Sequence, residues 1–260
     1  MSEERQNLSQ PDPEYAALLA STTLPPLQKL DIKVLREGFD KSIAAITREI
    51  YGPRLPSESE YRVEDHMVPV EGAQITVRCL VPISKADKAR TFPLFYWIHG
   101  GGGRLGTVEM DDLLLRTICV EFQITVVNIE YRYKSELRSV EELATSTPLL
   151  NKESLYECYN DQGGDPFNPE SSPLLYPSHI GLPPTYFQVC GLDLLRDEGL
   201  LYERLLREAG ITTKLDVYPG VPHGFHMFFP KIKQAAKYEE DFRKGLVWLL
   251  NGAREDEANA

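Results

Sequence analysis

Cysteine is scarce in this chain, with four in 260 residues, at positions 79, 119, 158 and 190. Their wide spacing, without a Cys-x-x-Cys or Cys/His pattern, excludes a disulfide framework and a metal site and reads as reduced, mostly buried thiols. Nothing approaches the about 18 consecutive apolar residues of a membrane span, and the opening MSEERQNLSQPDPEY has no apolar secretion core. A soluble cytoplasmic protein is the expectation. Positive charge is also short: 28 Lys and Arg against 39 Asp and Glu leave a net charge of -11. That balance argues against nucleic acid and anionic membranes, whose phosphates need a positive field, and favours small uncharged partners. Internal repeats, low-complexity linkers and the spaced glycine patterns that cradle phosphates are all absent. Finally, no serine or cysteine has glycine at the second position before or after it, so the chain has no G-x-S-x-G nucleophile turn.

What is present is a chain with 42% hydrophobic residues, enough for one sizeable core over residues 1–260. Residues 29–51 place Leu30, Val34, Leu35, Phe39, Ile43, Ile46 and Ile50 at helical spacing, an amphipathic helix within an N-terminal cover spanning 1–55. From 61 to 82, two strand-like runs meet at Glu71-Gly72, which predicts an antiparallel hairpin at a sheet edge. Phe92 to Ile98 reads as a buried strand running into a glycine loop, 109–122 as a helix with an acidic first turn, and 124–132 as another apolar strand. From 133 to 180 the text is polar and rich in turn formers, with a short helix near 152–160; this reads as a lid-like insertion. Alternation then resumes: the strand PPTYFQVCG, a helix closed by Gly210, the strand TTKLDVYPG and a final helix near 235–251, with a frayed end. Strands alternating with helices predict an α/β fold, a mostly parallel sheet with helices on both faces.

Acyl transfer creates an oxyanion, and backbone N–H groups in a tight glycine loop stabilise such a charge without reorganising. His99-Gly100-Gly101-Gly102-Gly103, directly after a strand, fits that need; the competing reading is a turn that binds phosphate or only reverses the chain. Asp193 follows the strand PPTYFQVCG, and His223 follows the next strand inside Pro222-His223-Gly224-Phe225. Acid then histidine after successive strands is the order in which an acid orients an imidazole base. Taken singly, Asp193 is as readily a helix N-cap and His223 a turn residue. Asp197 is a weaker acid candidate, because it falls inside the helix. No metal and no cofactor are called for by these residues.

HGGGG, EMDDLLLRTICVEFQITVVNIEYR, SSPLL, GLPPTYFQVCGLDLLRDEGLLYERLLREAG and VYPGVPHGF together resemble the hormone-sensitive-lipase-like esterases of the α/β-hydrolase fold, with wording nearest the fungal members. The resemblance covers residues from about 60 to 250. It implies an eight-stranded sheet and metal-free hydrolysis of carboxylic esters, in small-molecule or secondary metabolism. It further implies backbone amides of Gly101 and Gly102 as oxyanion donors, Asp193 and His223 as acid and base, and His99 and Gly100 as residues that shape the loop.

The departure lies after Glu130-Tyr131-Arg132. There the family continues through a helix to the strand-turn-helix bearing GDSAG, whereas this chain runs into Tyr133-Lys134-Ser135-Glu136. Ser135 has charged neighbours and no turn around it, and Cys190 reads as a buried strand residue, so neither is taken as a nucleophile. The missing piece holds at least one crossover, and a βαβ unit takes roughly thirty or more residues. A truncated sheet is therefore expected, either closed at six strands by pairing the HGGGG strand with PPTYFQVCG or left as two half-sheets with apolar edges. Three functional readings stand: a shortened product of an ordinary esterase gene, a pseudoenzyme that binds a small ester-like ligand or a protein, or a phosphate-binding α/β protein.

Overall fold

A computed structural model describes residues 8–21, 32–70, 73–84, 90–102, 105–130, 157–158, 168–170 and 172–254. Ser135, most of the 133–180 insertion, the junction after Glu130 and the last six residues lie outside these. The described elements are α1 (Pro13–Ser21), α2 (Ile32–Tyr51), β1 (Tyr61–Val70), β2 (Ala73–Pro82), β3 (Leu94–Ile98), α3 (Asp112–Glu121) and β4 (Thr125–Ile129). They continue with β5 (Thr185–Cys190), α4 (Arg196–Glu208), β6 (Thr213–Tyr218), the short turn of helix α5 (Phe225–Phe228) and α6 (Lys233–Leu250). The chain divides into two compact units, one of Leu27–Ser139 with Glu157–Gly163, the other of Met1–Pro26, Val140–Tyr156 and Gly164–Ala260.

The first unit carries a four-stranded sheet ordered β1-β2-β4-β3. β1 and β2 pair antiparallel with Val70 opposite Ala73, which leaves two residues for the predicted hairpin turn. β2 pairs antiparallel with β4, and β3 runs parallel to β4 with α3 as the connecting helix. Strand alternation sends Arg78, Leu80, Val126 and Asn128 to one face, where Leu80, Val126 and Asn128 are wholly buried. α3 adds Leu115, Ile118 and Cys119, and α2 packs on α3 through its buried stripe of Ile43 and Thr47. Each such aliphatic side chain contributes about 1.5–3 kcal/mol by leaving water. Within this core the Arg78 guanidinium donates to both oxygens of Asp65 on β1 at 2.8 Å each and to Asp112 at 3.1 Å, and meets Glu109 at 2.8 Å. α3 starts three residues later than the acidic text suggests, because the carboxylate of Asp111 caps no backbone group and instead accepts Trp97 Nε1–H at 2.9 Å.

The second unit pairs β5 and β6 in parallel, Thr185 opposite Thr213. α4 and α6 cover its two faces: Phe187 and Val189 meet Tyr202 and Gly199 of α4, whereas Tyr186 lies against Gly245 of α6. α1 joins the core here, with Tyr15 buried among Cys190, Tyr218, Val221 and Phe225. Asp12 starts that helix, its Oδ1 accepting the N–H groups of Glu14 at 2.9 Å and Tyr15 at 3.1 Å.

Of the two sheet arrangements expected, the one with separate sheets forms: among the described residues there are six strands, β3 pairs only with β4 and β5 only with β6. The expectation of a buried β3 is corrected: Leu94, Tyr96 and Ile98, which share one face of the strand, are 70%, 55% and 66% exposed. Among the described residues no helix is long and apolar enough to cross a membrane.

Candidate active site

The glycine loop leaves β3 through His99, whose ring is buried and whose Nδ1 lies 2.7 Å from the Gly100 carbonyl. A carbonyl only accepts, so Nδ1 carries the proton and the ring is committed to holding the loop. The chain then folds back, with Leu105 N–H donating to Gly101 O at 3.0 Å. Gly101 takes φ +119° and Gly102 φ +61°, conformations in which other residues are strained. There is no room for a side chain either: a Cβ on Gly101 would lie 2.0 Å from Leu105 O and one on Gly102 2.5 Å from Cys158 Sγ. Cys158, which nothing in the sequence pattern marks, thus covers Gly102, the third glycine of the loop. Gly103 lies outside the described residues.

In the other unit, Asp193 and His223 are brought together at the carboxyl ends of β5 and β6, where parallel strands place their sites. The two loops are tied by backbone bonds, Gly191 N–H to Tyr218 O at 2.8 Å and Leu192 N–H to Val221 O at 3.0 Å. Asp193 Oδ2 then accepts His223 Nδ1–H at 2.7 Å, while its Oδ1 accepts the Leu195 N–H at 2.9 Å. The carboxylate therefore serves the helix entry and the imidazole at once. Asp193 is nearly buried and the His223 side chain about half exposed (52%). The Asp193 carboxylate raises the His223 pKa above the usual 6.5, against the opposing effect of burial. Because Nδ1–H is spent on Asp193, Nε2 is the ring atom left to take a proton.

The other candidates fall away. Asp197 is exposed and accepts Arg196 Nε–H at 2.9 Å. Cys190 is buried, and loss of solvation together with the Asp193 charge pushes its thiol up to about 12, far from a reactive thiolate. Sequence reading missed the supports of the pair. Arg196 Nη1 donates to Gly191 O at 3.0 Å and Ser9 Oγ at 2.7 Å, and the N-terminal segment crosses both loops through Gly220 N–H to Leu8 O at 2.9 Å and Asp12 N–H to Gly220 O at 2.8 Å. His226, three residues beyond His223, stacks flat on Tyr238 with ring centroids 4.1 Å apart.

A profile described as the alpha/beta hydrolase fold matches residues 134–227. The versiconal hemiacetal acetate esterase of Aspergillus parasiticus is 33% identical over 302 aligned positions, taking in 86% of this chain and 92% of that one. Those positions outnumber the 260 residues here, so that relative carries residues with no counterpart in this chain. An AB hydrolase superfamily protein of Schizosaccharomyces pombe is 38% identical over 124 residues, and there this chain spans only 36% of the relative's length. The same holds for the versiconal hemiacetal acetate esterase of Dothistroma septosporum, of which the chain spans 37%. Among solved structures, vibralactone cyclase superposes with a TM-score of 0.87 at 30% identity, covering 98% of each chain. On these likenesses, the chain belongs to the hormone-sensitive-lipase-like group of the α/β-hydrolase family.

Proposed function

We propose that this chain is an esterase-family protein that retains the acid, the base and the oxyanion loop, lacks the nucleophile, and binds a small uncharged ester-like molecule with little turnover. The observation that carries this is the Asp193–His223 pair at 2.7 Å in a sequence without any serine or cysteine in a glycine frame. In this reading Asp193 orients the imidazole and stabilises its charged form, and the backbone amides of Gly101 and Gly102 receive the carbonyl oxygen of the ligand. Without a serine no acyl-enzyme forms. Hydrolysis is left to water, whose oxygen adds to the carbonyl carbon while its proton passes to His223 Nε2 and then to the departing alkoxide. Losing the nucleophile of a serine hydrolase costs about 10⁶-fold in turnover. The likeness to a vibralactone cyclase and to hemiacetal acetate esterases supports ester or lactone ligands of secondary metabolism.

The test is purified protein with p-nitrophenyl acetate and butyrate and with a fluorophosphonate probe. Hydrolysis at the buffer rate and no labelling are expected; labelling of one serine with burst kinetics would falsify the proposal. A second reading is favoured by the A. parasiticus alignment, whose positions outnumber the residues of this chain: the sequence is a shortened product of an ordinary esterase gene. Sequencing the transcript across the codons for Ile129 to Glu136 separates the two, since a longer in-frame message carrying GDSAG restores the serine esterase.

A further inference from the structure

The four-stranded sheet has one finished face and one bare one. Arg78, Leu80, Phe95, Trp97, Val126 and Asn128 share the face that α3 covers, as the Arg78–Asp112 and Trp97–Asp111 bonds establish. The opposite face presents Leu94, Tyr96 and Ile98 of β3, all well exposed, beside half-buried Val127 and Ile129 of β4. It turns polar only at β1, with Arg62, Glu64 and His66. The same strand β3 is also the sheet edge, since among the described residues it pairs with β4 alone.

Connectivity says what belongs there. β4 is flanked by β2 and β3, so a further parallel strand entered after β4 joins an outer edge, and that of β3, one strand away and itself apolar, is nearer than that of β1, two strands away and lined by Arg62, Glu64 and His66. The step from β3 through α3 to β4 moves one way along the sheet; the step from β4 to beyond β3 moves back. Crossovers are right-handed in nearly all cases, so reversing the direction puts the second connecting helix on the opposite face from α3. That is the face of Leu94, Tyr96 and Ile98. A second copy of the chain would not serve: two β3 edges paired about a two-fold axis place both sets of exposed side chains on one face and leave it bare.

We propose that this face and edge form a docking site for one crossover segment, an amphipathic helix laid on Leu94, Tyr96 and Ile98 followed by a short strand on the β3 edge, and that the chain accepts it when supplied as a separate peptide. The inference rests on the reading that the segment bearing the nucleophile is missing, but its test reads binding, whereas that reading is tested by ester turnover and serine labelling. The probe is a fluorescein-labelled synthetic peptide copying the longest stretch of the A. parasiticus esterase without a counterpart here, with a scrambled control, titrated with the full chain and followed by anisotropy. Saturable binding is expected, weakened at least about tenfold by Tyr96→Lys and by Ile98→Lys, and unchanged by Val34→Lys on the exposed side of α2. The substituted side chains are already in water, and circular dichroism of all three variants verifies the fold; Leu94→Lys replaces any that misfolds. No saturation with folded protein overturns the proposal, as does equal weakening by Val34→Lys. So does sedimentation of the chain alone as a dimer that Tyr96→Lys dissociates.

Discussion

Asp193 divides its carboxylate between two partners, His223 Nδ1 at 2.7 Å and the Leu195 N–H at 2.9 Å, so the residue that orients the imidazole also starts the turn into α4. Asp193→Asn keeps the shape and removes the charge. The His223 pKa then falls toward its ordinary value, because the largest cause of its rise is the bond to this carboxylate. Folding stability below neutral pH falls by on the order of 1 kcal/mol, a modest figure because the imidazole is half exposed. The sign follows from linkage: a raised histidine pKa contributes stability fully below about pH 6.5 and loses it as pH rises through the folded value. NMR titration of the His223 ring reports the shift directly; an unmoved pKa in the variant would count against the pairing.

The pair stands on the N-terminal segment. Gly220 takes φ +72°, and a Cβ there would sit 2.2 Å from Gln10 O and 2.3 Å from Asp12 N. Gly220→Ala therefore has to push the segment off the β6 loop or strain the backbone, at a cost of about 2–4 kcal/mol. Urea unfolding checks this. Loss of the segment frees the loop bearing His223, so limited proteolysis near residue 10 accelerates in the same variant.

Arg78 gathers β1, β2 and the start of α3 through Asp65, Glu109 and Asp112. Arg78→Met keeps the stem and deletes the charge, leaving the nearly buried Asp112 with Arg116 as its remaining partner at 2.7 Å. A loss of on the order of 3 kcal/mol follows, since one half of a buried pair is costlier alone than both together. If guanidinium unfolding shows less than about 1 kcal/mol, the network is no more than a set of surface contacts.

How far the sequence carried differs by element. The hairpin, the two βα steps and both late helices were legible from period and punctuation, because burial there is decided by neighbours that the sequence itself provides. Asp193 and His223 were legible as candidates from their order after strands, but their contact depends on Gly191–Tyr218 and Leu192–Val221 backbone bonds that no local pattern encodes. β3 misled for the converse reason: Leu94-Phe95-Tyr96-Trp97-Ile98 is composed for burial on both sides, yet Leu94, Tyr96 and Ile98 are exposed, and the sequence pattern of a strand does not say what lies against each of its faces. α1 was overlooked because its surroundings are polar, although Asp12-Pro13 is a legible helix start.

His226 makes the second unit sensitive to acid. Burial, with a smaller effect from nearby His223, lowers its pKa to about 4; its ring lies flat on Tyr238 and edge-on to Phe225, and its buried Nδ1 has no hydrogen-bond partner among the described residues. The unfolded chain takes up a proton at this residue near pH 6.5 and the folded one only near 4, so the contribution is present above pH 6.5 and lost as pH falls between those values. The full span is on the order of 3 kcal/mol. It acts opposite to His223, whose pairing strengthens in acid, and the two are separated by substitution. His226→Phe preserves the stack and abolishes the titration, so its unfolding free energy declines less than wild type between pH 6.5 and 4.5. His223→Gln leaves that decline in place. Parallel curves for wild type and His226→Phe would show that His226 is protonated in the folded state and that the buried ring is not what acid disturbs.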